Sequence, residues 1–185
     1  LSPSLIGELE SDLLGILDDP GVVAAVLASG KPSTFIAGAD LKTLEAIGEA
    51  SEAEAFSRRG HALLARVARC GKPVVAAIHG AALGGGLEVA LACSHLIASD
   101  DPATVLALPE VMLGLLPGAG GTQRLPRRVG LPAALPMILT GQRIRARKAL
   151  RMGLVDAVTT PGGIAGTAAR AALELADGRG LVRRP

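Results

Sequence analysis

Five consecutive apolar residues, Val74-Val75-Ala76-Ala77-Ile78, stand between the breaker Cys70-Gly71-Lys72-Pro73 and the pair His79-Gly80. A run that short and that uniformly apolar reads as a strand buried on both faces, the habit of sheets covered by helices. The residues before it, from about Ser51 to Ala68, carry helical periodicity in Phe56, Leu63, Leu64 and Val67. The same order stands upstream. Ser2-Pro3 is a helix start with a capping hydroxyl and a proline pre-set for the first turn, and Leu5, Ile6, Leu9, Leu13, Leu14 and Leu17 form its stripe. That helix stops at Asp18-Asp19-Pro20-Gly21, after which Val22 to Ala28 reads as another buried strand and Thr34-Phe35-Ile36 resumes extended structure. Helix, strand, helix, strand is α/β order.

Beyond Ile78 come His79-Gly80-Ala81-Ala82, the run Gly84-Gly85-Gly86, a short helix to about Ala92 and a strand near His95 to Ala98. Helices are expected at about 121–129, 132–139, 146–152 and 164–176, with a short strand from Val155 to Val158. No repeat, low-complexity tract or linker interrupts the pattern, so residues 1–185 are read as one domain. The chain starts at Leu1, without an initiator Met and already inside a helical pattern, which is the expectation for a piece of something longer.

Composition narrows the function. With 49% hydrophobic residues in 185 the chain can bury a core without metals or disulfides. Two Phe and no Trp or Tyr make that core aliphatic and leave little for stacking on bases, which disfavours nucleic-acid binding. The net charge is +2. The basic groups Arg124, Arg127, Arg128 and Arg143, Arg145, Arg147, Lys148, Arg151 read as solvated helix faces, or else as a landing site for a polyanionic ligand such as the phosphates of a carrier. Arg179, Arg183 and Arg184 read as a solvated terminus. Cys70 and Cys93 lack metal-ligand spacing and are expected as buried thiols in a reducing compartment. No uninterrupted apolar run reaches the roughly 18 residues of a membrane span, and no signal peptide opens the sequence.

The chemistry-bearing residues are two carboxylates in apolar sequence: Glu88, after the glycine run, and Glu110, in Leu108-Pro109-Glu110. A carboxyl held among apolar groups can keep or accept a proton near neutrality. A strand that ends in glycines and enters a helix presents amides without intrahelical partners at the positive end of the helix dipole, ready to donate to an oxyanion. Ala37-Gly38-Ala39-Asp40 also follows a strand and could bring a second amide. The alternatives at this level are close helix-on-strand packing for Gly84 to Gly86, a dipole-stabilising surface role for Glu88 and a turn for Glu110. No Gly-Lys-Ser/Thr loop is present, and Gly118-Ala119-Gly120-Gly121 follows no clear strand, so neither ATP nor nicotinamide binding is indicated. His61, His79 and His95 lack a Gly-x-Ser-x-Gly partner and read as structural. Asp40 reads as a capping or loop-ordering residue, and Gln123 and Arg124 as groups that stabilise the turn after the glycines.

Three segments in order, Ile36-Ala37-Gly38-Ala39-Asp40-Leu41, His79 through Glu88, and Leu108-Pro109-Glu110-Val111 on through Leu113 to Arg124, resemble the enoyl-CoA hydratase/isomerase (crotonase) family. The likeness continues through Leu139-Thr140-Gly141 and Ala149 to Asp156, and it is most similar to the N-terminal hydratase domain of the multifunctional fatty-acid oxidation alpha subunits. It implies an α/β crotonase-like (ClpP/crotonase) fold of stacked ββα units with a helical C-terminal region, here truncated at both ends. It also implies hydration of a trans-2-enoyl-CoA to a 3-hydroxyacyl-CoA in fatty-acid β-oxidation, with Δ3-Δ2 isomerase activity as a companion. Another CoA enzyme such as a hydrolase, or a non-catalytic assembly module, is the alternative.

The resemblance further assigns Glu88 and Glu110 as the acid/base pair and the amides of Ala39 and Gly85 as the oxyanion hole. It gives Ala37, Gly38, Asp40, Leu41, Gly84, Pro109 and Gly118 to substrate and CoA binding. It implies no metal and no cofactor beyond the coenzyme A of the acyl-CoA substrate. The expected assembly is a homotrimer or a subunit of a β-oxidation multienzyme complex, and the expected location is cytoplasmic in a bacterium or mitochondrial in a eukaryote. Ala107 stands where related sequences often carry Gly.

Overall fold

The computed structural model describes residues 3–38, 40, 43 and 45–179, without the side chains of 3–5. The first helical stretch is α1 (Pro3–Glu8), a π-helical turn (Leu9–Leu13) and α2 (Leu14–Asp18). Its stripe buries Ile6, Leu14 and Leu17. The Ser2 cap lies outside the described residues. Strands β1 (Ala25–Ala28) and β2 (Thr34–Ile36) follow, and then α3 (Ala50–Arg69). Helix α3 begins with a capping box between Glu49 and Glu52, carries Arg66 and Arg69 in its last turn, and buries Leu63, Leu64 and Val67. Reciprocal capping and cations at the C-terminus both favour that helix.

The second unit is β3 (Val74–Ile78), β4 (Ala81–Leu83) and α4 (Gly85–Ala92). The third is β5 (His95–Ser99) and β6 (Val105–Ala107), then a 3-10 turn at Pro109–Leu113 and helix α5 (Gly121–Val129). Helix α6 (Leu131–Thr140), β7 (Ile144–Arg145), α7 (Ala146–Arg151), β8 (Ala157–Thr159) and α8 (Ile164–Ala176) complete the order.

Successive strands alternate between two sheets, β1-β3-β5-β8 and β2-β4-β6-β7. All pairs are parallel except β6 with β7. Each ββα unit thus adds one strand to each sheet, and the stacking expected from the motifs is the architecture found. Strand β3 shows why its sequence is apolar without interruption. Val74, Ala76 and Ile78 enter the main core, while Val75 and Ala77 face the other way into a second cluster with Ile97, Ala168, Ala172 and Leu175 of β5 and α8. With a side-chain period of two, a strand covered on both faces has no polar position to spare.

Four expectations need correction. Strand β1 is not buried as Val22 to Ala28 suggested: its burial alternates, Val26 is 39% exposed and Val23 60%, because β1 is an edge strand with only β3 beside it. Strands β4 and β6 were not foreseen; three residues each, flanked by Gly or by the Asp100-Asp101-Pro102 turn, they are too short for a periodic signal. The basic residues are not all solvated. Arg128 is buried against Asp156, donating at 2.5 Å to its Oδ2 and at 2.6 Å to the Leu154 carbonyl, while Asp156 also accepts from the Leu96 amide at 2.8 Å. That knot ties α5 to β5 and β8. Arg147 is exposed but ion-paired with Asp100. Of the thiols, Cys93 is buried and Cys70 only half-buried.

Candidate active site

The site sits where β2, β4 and β6 end. Gly84 links β4 to α4 with a φ of 53°, its amide donating to the Ala107 carbonyl at 2.9 Å. The next glycine but one brings the helix down on the sheet: a Cβ on Gly86 would lie 2.1 Å from the Ile36 carbonyl oxygen, so only bare backbone lets α4 rest on β2. Gly85 is the first residue of α4, a position whose amide has no intrahelical acceptor. One turn on, Glu88 is 2% exposed.

Glu88 is not the surface residue that a first-turn Glu usually is. Its Oε1 accepts from the Ala119 amide at 2.8 Å and the Gly121 amide at 2.7 Å. Burial raises its pKa; the two amides, Gly121 first, oppose that shift, as do the charges of His61 and Arg124, and the net direction is upward. Glu110 lies in the 3-10 turn that Pro109 starts. Burial raises its pKa from an ordinary 4.5 to about 7, opposed by its own backbone amide and reinforced by the charge of Glu88. Its Oε2 is buried and meets no hydrogen-bond partner among the described residues. Its other oxygen lies close over Gly84, where a Cβ would come within 3.0 Å.

Both carboxylates line one cavity of about 740 Å³. Ala37, Gly38, Gly84, Gly85, Pro109 and Gly118 line it too, so most of the residues assigned from sequence converge. Its walls are aliphatic or aromatic, with Ile47, Phe56, Leu63, Leu113 and Leu116 among them. Ala39 and Leu41 lie outside the described residues. Asp40, assigned to substrate binding by the resemblance, is exposed and does not line the cavity; it accepts from the Thr43 hydroxyl at 3.1 Å. Among the described residues no group of His, Cys, Asp or Glu is placed to hold a metal ion. None of their helices is long and apolar enough to cross a membrane.

A larger cavity, about 1140 Å³, opens on the opposite face of α3, among Arg69, Lys72, Arg124 and Arg127. Neither carboxylate lines it. His61 also lines this basic side, and His79 makes a 2.5 Å hydrogen bond from Nε2 to the Lys31 carbonyl oxygen; neither histidine sits in the cavity that holds the carboxylates.

The sequence reading gives Gly118 to substrate binding and sets the loop Gly118-Ala119-Gly120-Gly121 aside as a nucleotide fingerprint, but misses its hold on Glu88. The loop supplies both amides that hold Glu88. The available signal was its place just before a helix, where amides lack intrahelical partners.

The family model described as Enoyl-CoA hydratase/isomerase matches residues 1–183. The alpha subunits of the fatty acid oxidation complex from Shewanella sp. (strain W3-18-1) and Shewanella putrefaciens (strain CN-32 / ATCC BAA-453) are each 54% identical over 151 residues, 82% of this chain and 21% of theirs. The chain thus spans about a fifth of the length of these curated relatives. Among solved structures, an enoyl-CoA hydratase from Bacillus anthracis superposes with a TM-score of 0.88 at 36% identity, over 95% of this chain and 67% of that one. DspI of Pseudomonas aeruginosa gives 0.86 at 39% identity, over 93% and 69%.

Proposed function

The chain belongs to the enoyl-CoA hydratase/isomerase family, and from that premise we propose that it is a hydratase domain adding water across the double bond of a trans-2-enoyl-CoA to give a 3-hydroxyacyl-CoA. The observation that carries the reading is a pair of carboxyls, both with raised affinity for protons, on the wall of one apolar cavity at the start of a glycine-led helix. A family member that only shifts a double bond needs one such carboxylate; two suit the addition of water.

In the proposed reaction the thioester oxygen accepts from the Gly85 amide, and the family resemblance gives it the amide of Ala39 as a second donor. Donors placed where negative charge develops lower the barrier, each by roughly 3–4 kcal/mol. Polarised in this way, the enoyl group is electrophilic at C3. Glu88 in its ionised form, its Oε1 fixed by two amides, takes a proton from water as the water oxygen bonds to C3. Glu110, with a pKa of about 7, is protonated in a large share of molecules near neutrality and delivers its proton to C2 as the enolate collapses. A later transfer between the two carboxyls through solvent restores the starting state. The aliphatic wall suits the acyl chain and keeps bulk water from the enolate.

The same Glu110 can carry a proton between C2 and C4, so Δ3-Δ2 isomerisation is the companion activity that we propose. The fatty acid oxidation complex names of the relatives support a place in β-oxidation within a multienzyme complex, with a homotrimer as the other assembly in view. The test is hydration of crotonyl-CoA, followed by the loss of enoyl thioester absorbance with the product identified by mass and NMR. Formation of 3-hydroxybutyryl-CoA supports the reading; release of free CoA without hydration would point to a hydrolase and end it.

A further inference from the structure

The loop from Gly118 to Gly121 is held from both sides. Its amides at Ala119 and Gly121 face Glu88. Its carbonyls face away and are each taken by a different group. The Ser57 hydroxyl, on α3, donates to the Gly118 carbonyl at 2.5 Å. The Arg124 guanidinium, on α5, donates to the Ala119 carbonyl at 2.7 Å. The Gly120 carbonyl accepts the amides of Gln123 and Arg124 that start the helix. Arg124 folds tightly over the loop, since a Cβ on Gly120 would lie 2.3 Å from its Nη1. A peptide whose carbonyl is fixed has its N–H fixed too, because the unit is planar. The bond at the Gly118 carbonyl therefore sets the Ala119 amide directly; the Gly121 amide shares its peptide with the Gly120 carbonyl that the helix amides hold, and the Arg124 bond at the Ala119 carbonyl fixes the peptide between the two.

We propose that Ser57 and Arg124 are positioning residues for Glu88: by gripping the carbonyls of Gly118 and Ala119 they hold the course of the loop, Ser57 setting the Ala119 amide directly and Arg124 fixing the peptide between it and the Gly121 amide, so that both meet Glu88 Oε1. Arg124 does not line the cavity that holds the carboxylates, and Ser57, which does, spends its hydroxyl on the loop carbonyl. Side chains of α3 and α5 thereby determine the state of a carboxylate on α4. The inference rests on the hydratase reading only for its kinetic consequence; the geometry of the loop stands without it.

The charged and titratable groups that act on Glu88 are His61 from α3, Arg124 from α5 and Glu110 from the 3-10 turn. Because Arg124 acts both as clamp and as charge, its removal alone would not separate the two. Ser57 carries no charge, so it does. With each amide bond to a carboxylate worth about one pKa unit, loss of the Ser57 grip should move the Glu88 titration upward by at least about half a unit.

The experiment is carboxyl 13C NMR titration of the protein with labelled glutamate, Glu88 being assigned from Glu88→Gln, on the parent and on Ser57→Ala, Ser57→Thr, Arg124→Gln and Arg124→Lys. The expected result is a higher Glu88 midpoint in Ser57→Ala, return toward the parent in Ser57→Thr, a larger rise in Arg124→Gln and an intermediate one in Arg124→Lys. In hydration of crotonyl-CoA the acidic limb of the kcat profile should move with the midpoint, while KM stays within about twofold. An unmoved midpoint in a folded Ser57→Ala protein would overturn the proposal, even if activity fell. A moved midpoint in a protein that hydrates nothing would leave the clamp standing and remove the hydratase reading instead.

Discussion

Glu110→Gln should remove hydration and, at the same time, stabilise the protein in alkaline solution relative to acid. The sign follows from the raised pKa. Below about pH 4.5 the carboxyl is neutral in both folded and unfolded chains. Between there and about pH 7 the unfolded chain gives up the proton and the folded one keeps it, so the folded state binds more protons and loses stability as pH rises. Above that range the cost is fully present. At 1.36 kcal/mol per unit the shift from 4.5 to about 7 corresponds to about 3–4 kcal/mol before screening. The side chain is only partly buried, and solvent screening reduces this to about 1–2 kcal/mol.

The glutamine amide brings a cost of its own, since the buried Oε2 position has no partner among the described residues, but that cost does not vary with pH. The readout is therefore a difference of differences. Urea unfolding of parent and variant at about pH 5 and about pH 8 should show the variant gaining about 1–2 kcal/mol relative to the parent between the two conditions. A stability difference that is the same at both pH values would refute the raised pKa and with it the part given to Glu110.

Other consequences are independent of the reaction. Gly86→Ala would place a methyl 2.1 Å from the Ile36 carbonyl oxygen, lifting α4 from β2 at a cost of about 2–4 kcal/mol; a thermal midpoint within a degree or two of the parent would contradict that packing. Asp156→Ala leaves the buried Arg128 guanidinium without its carboxylate and should lose about 3–5 kcal/mol in chemical denaturation, whereas a loss below about 1 kcal/mol would show that the knot is not needed. Burial pushes the Cys93 thiol up to about 12, so thiol reagents at neutral pH should label Cys70 well before Cys93. Peptide mapping that finds Cys93 modified first in the native protein would count against that environment.

Strand β3 and helix α3 were legible because each repeats one requirement along its length: a strand covered twice, and a helix with a cap and a stripe. Strands β4 and β6 were not, because three residues cannot display a period and their pairing partners are distant in sequence. Glu88 and Glu110 were visible as carboxylates in apolar sequence, yet their convergence depends on a crossing of units that only the motifs' likeness to a family suggested. The loop amides were hidden for a different reason. A backbone donor leaves no residue type behind, and Gly118-Ala119-Gly120-Gly121 reads the same whether it packs a helix or holds a carboxylate. Arg128 looked like one more solvated cation because its partner Asp156 lies 28 residues away.

The central claim is that Glu88 and Glu110 work as one unit on a single substrate, and a double-mutant cycle on crotonyl-CoA hydration tests it most directly. Glu88→Gln and Glu110→Gln should each lower kcat by about a hundredfold or more, and the double variant should fall little further, because groups that act together are not additive. Near-parent turnover in either single variant, or effects that multiply in the double one, would contradict the account.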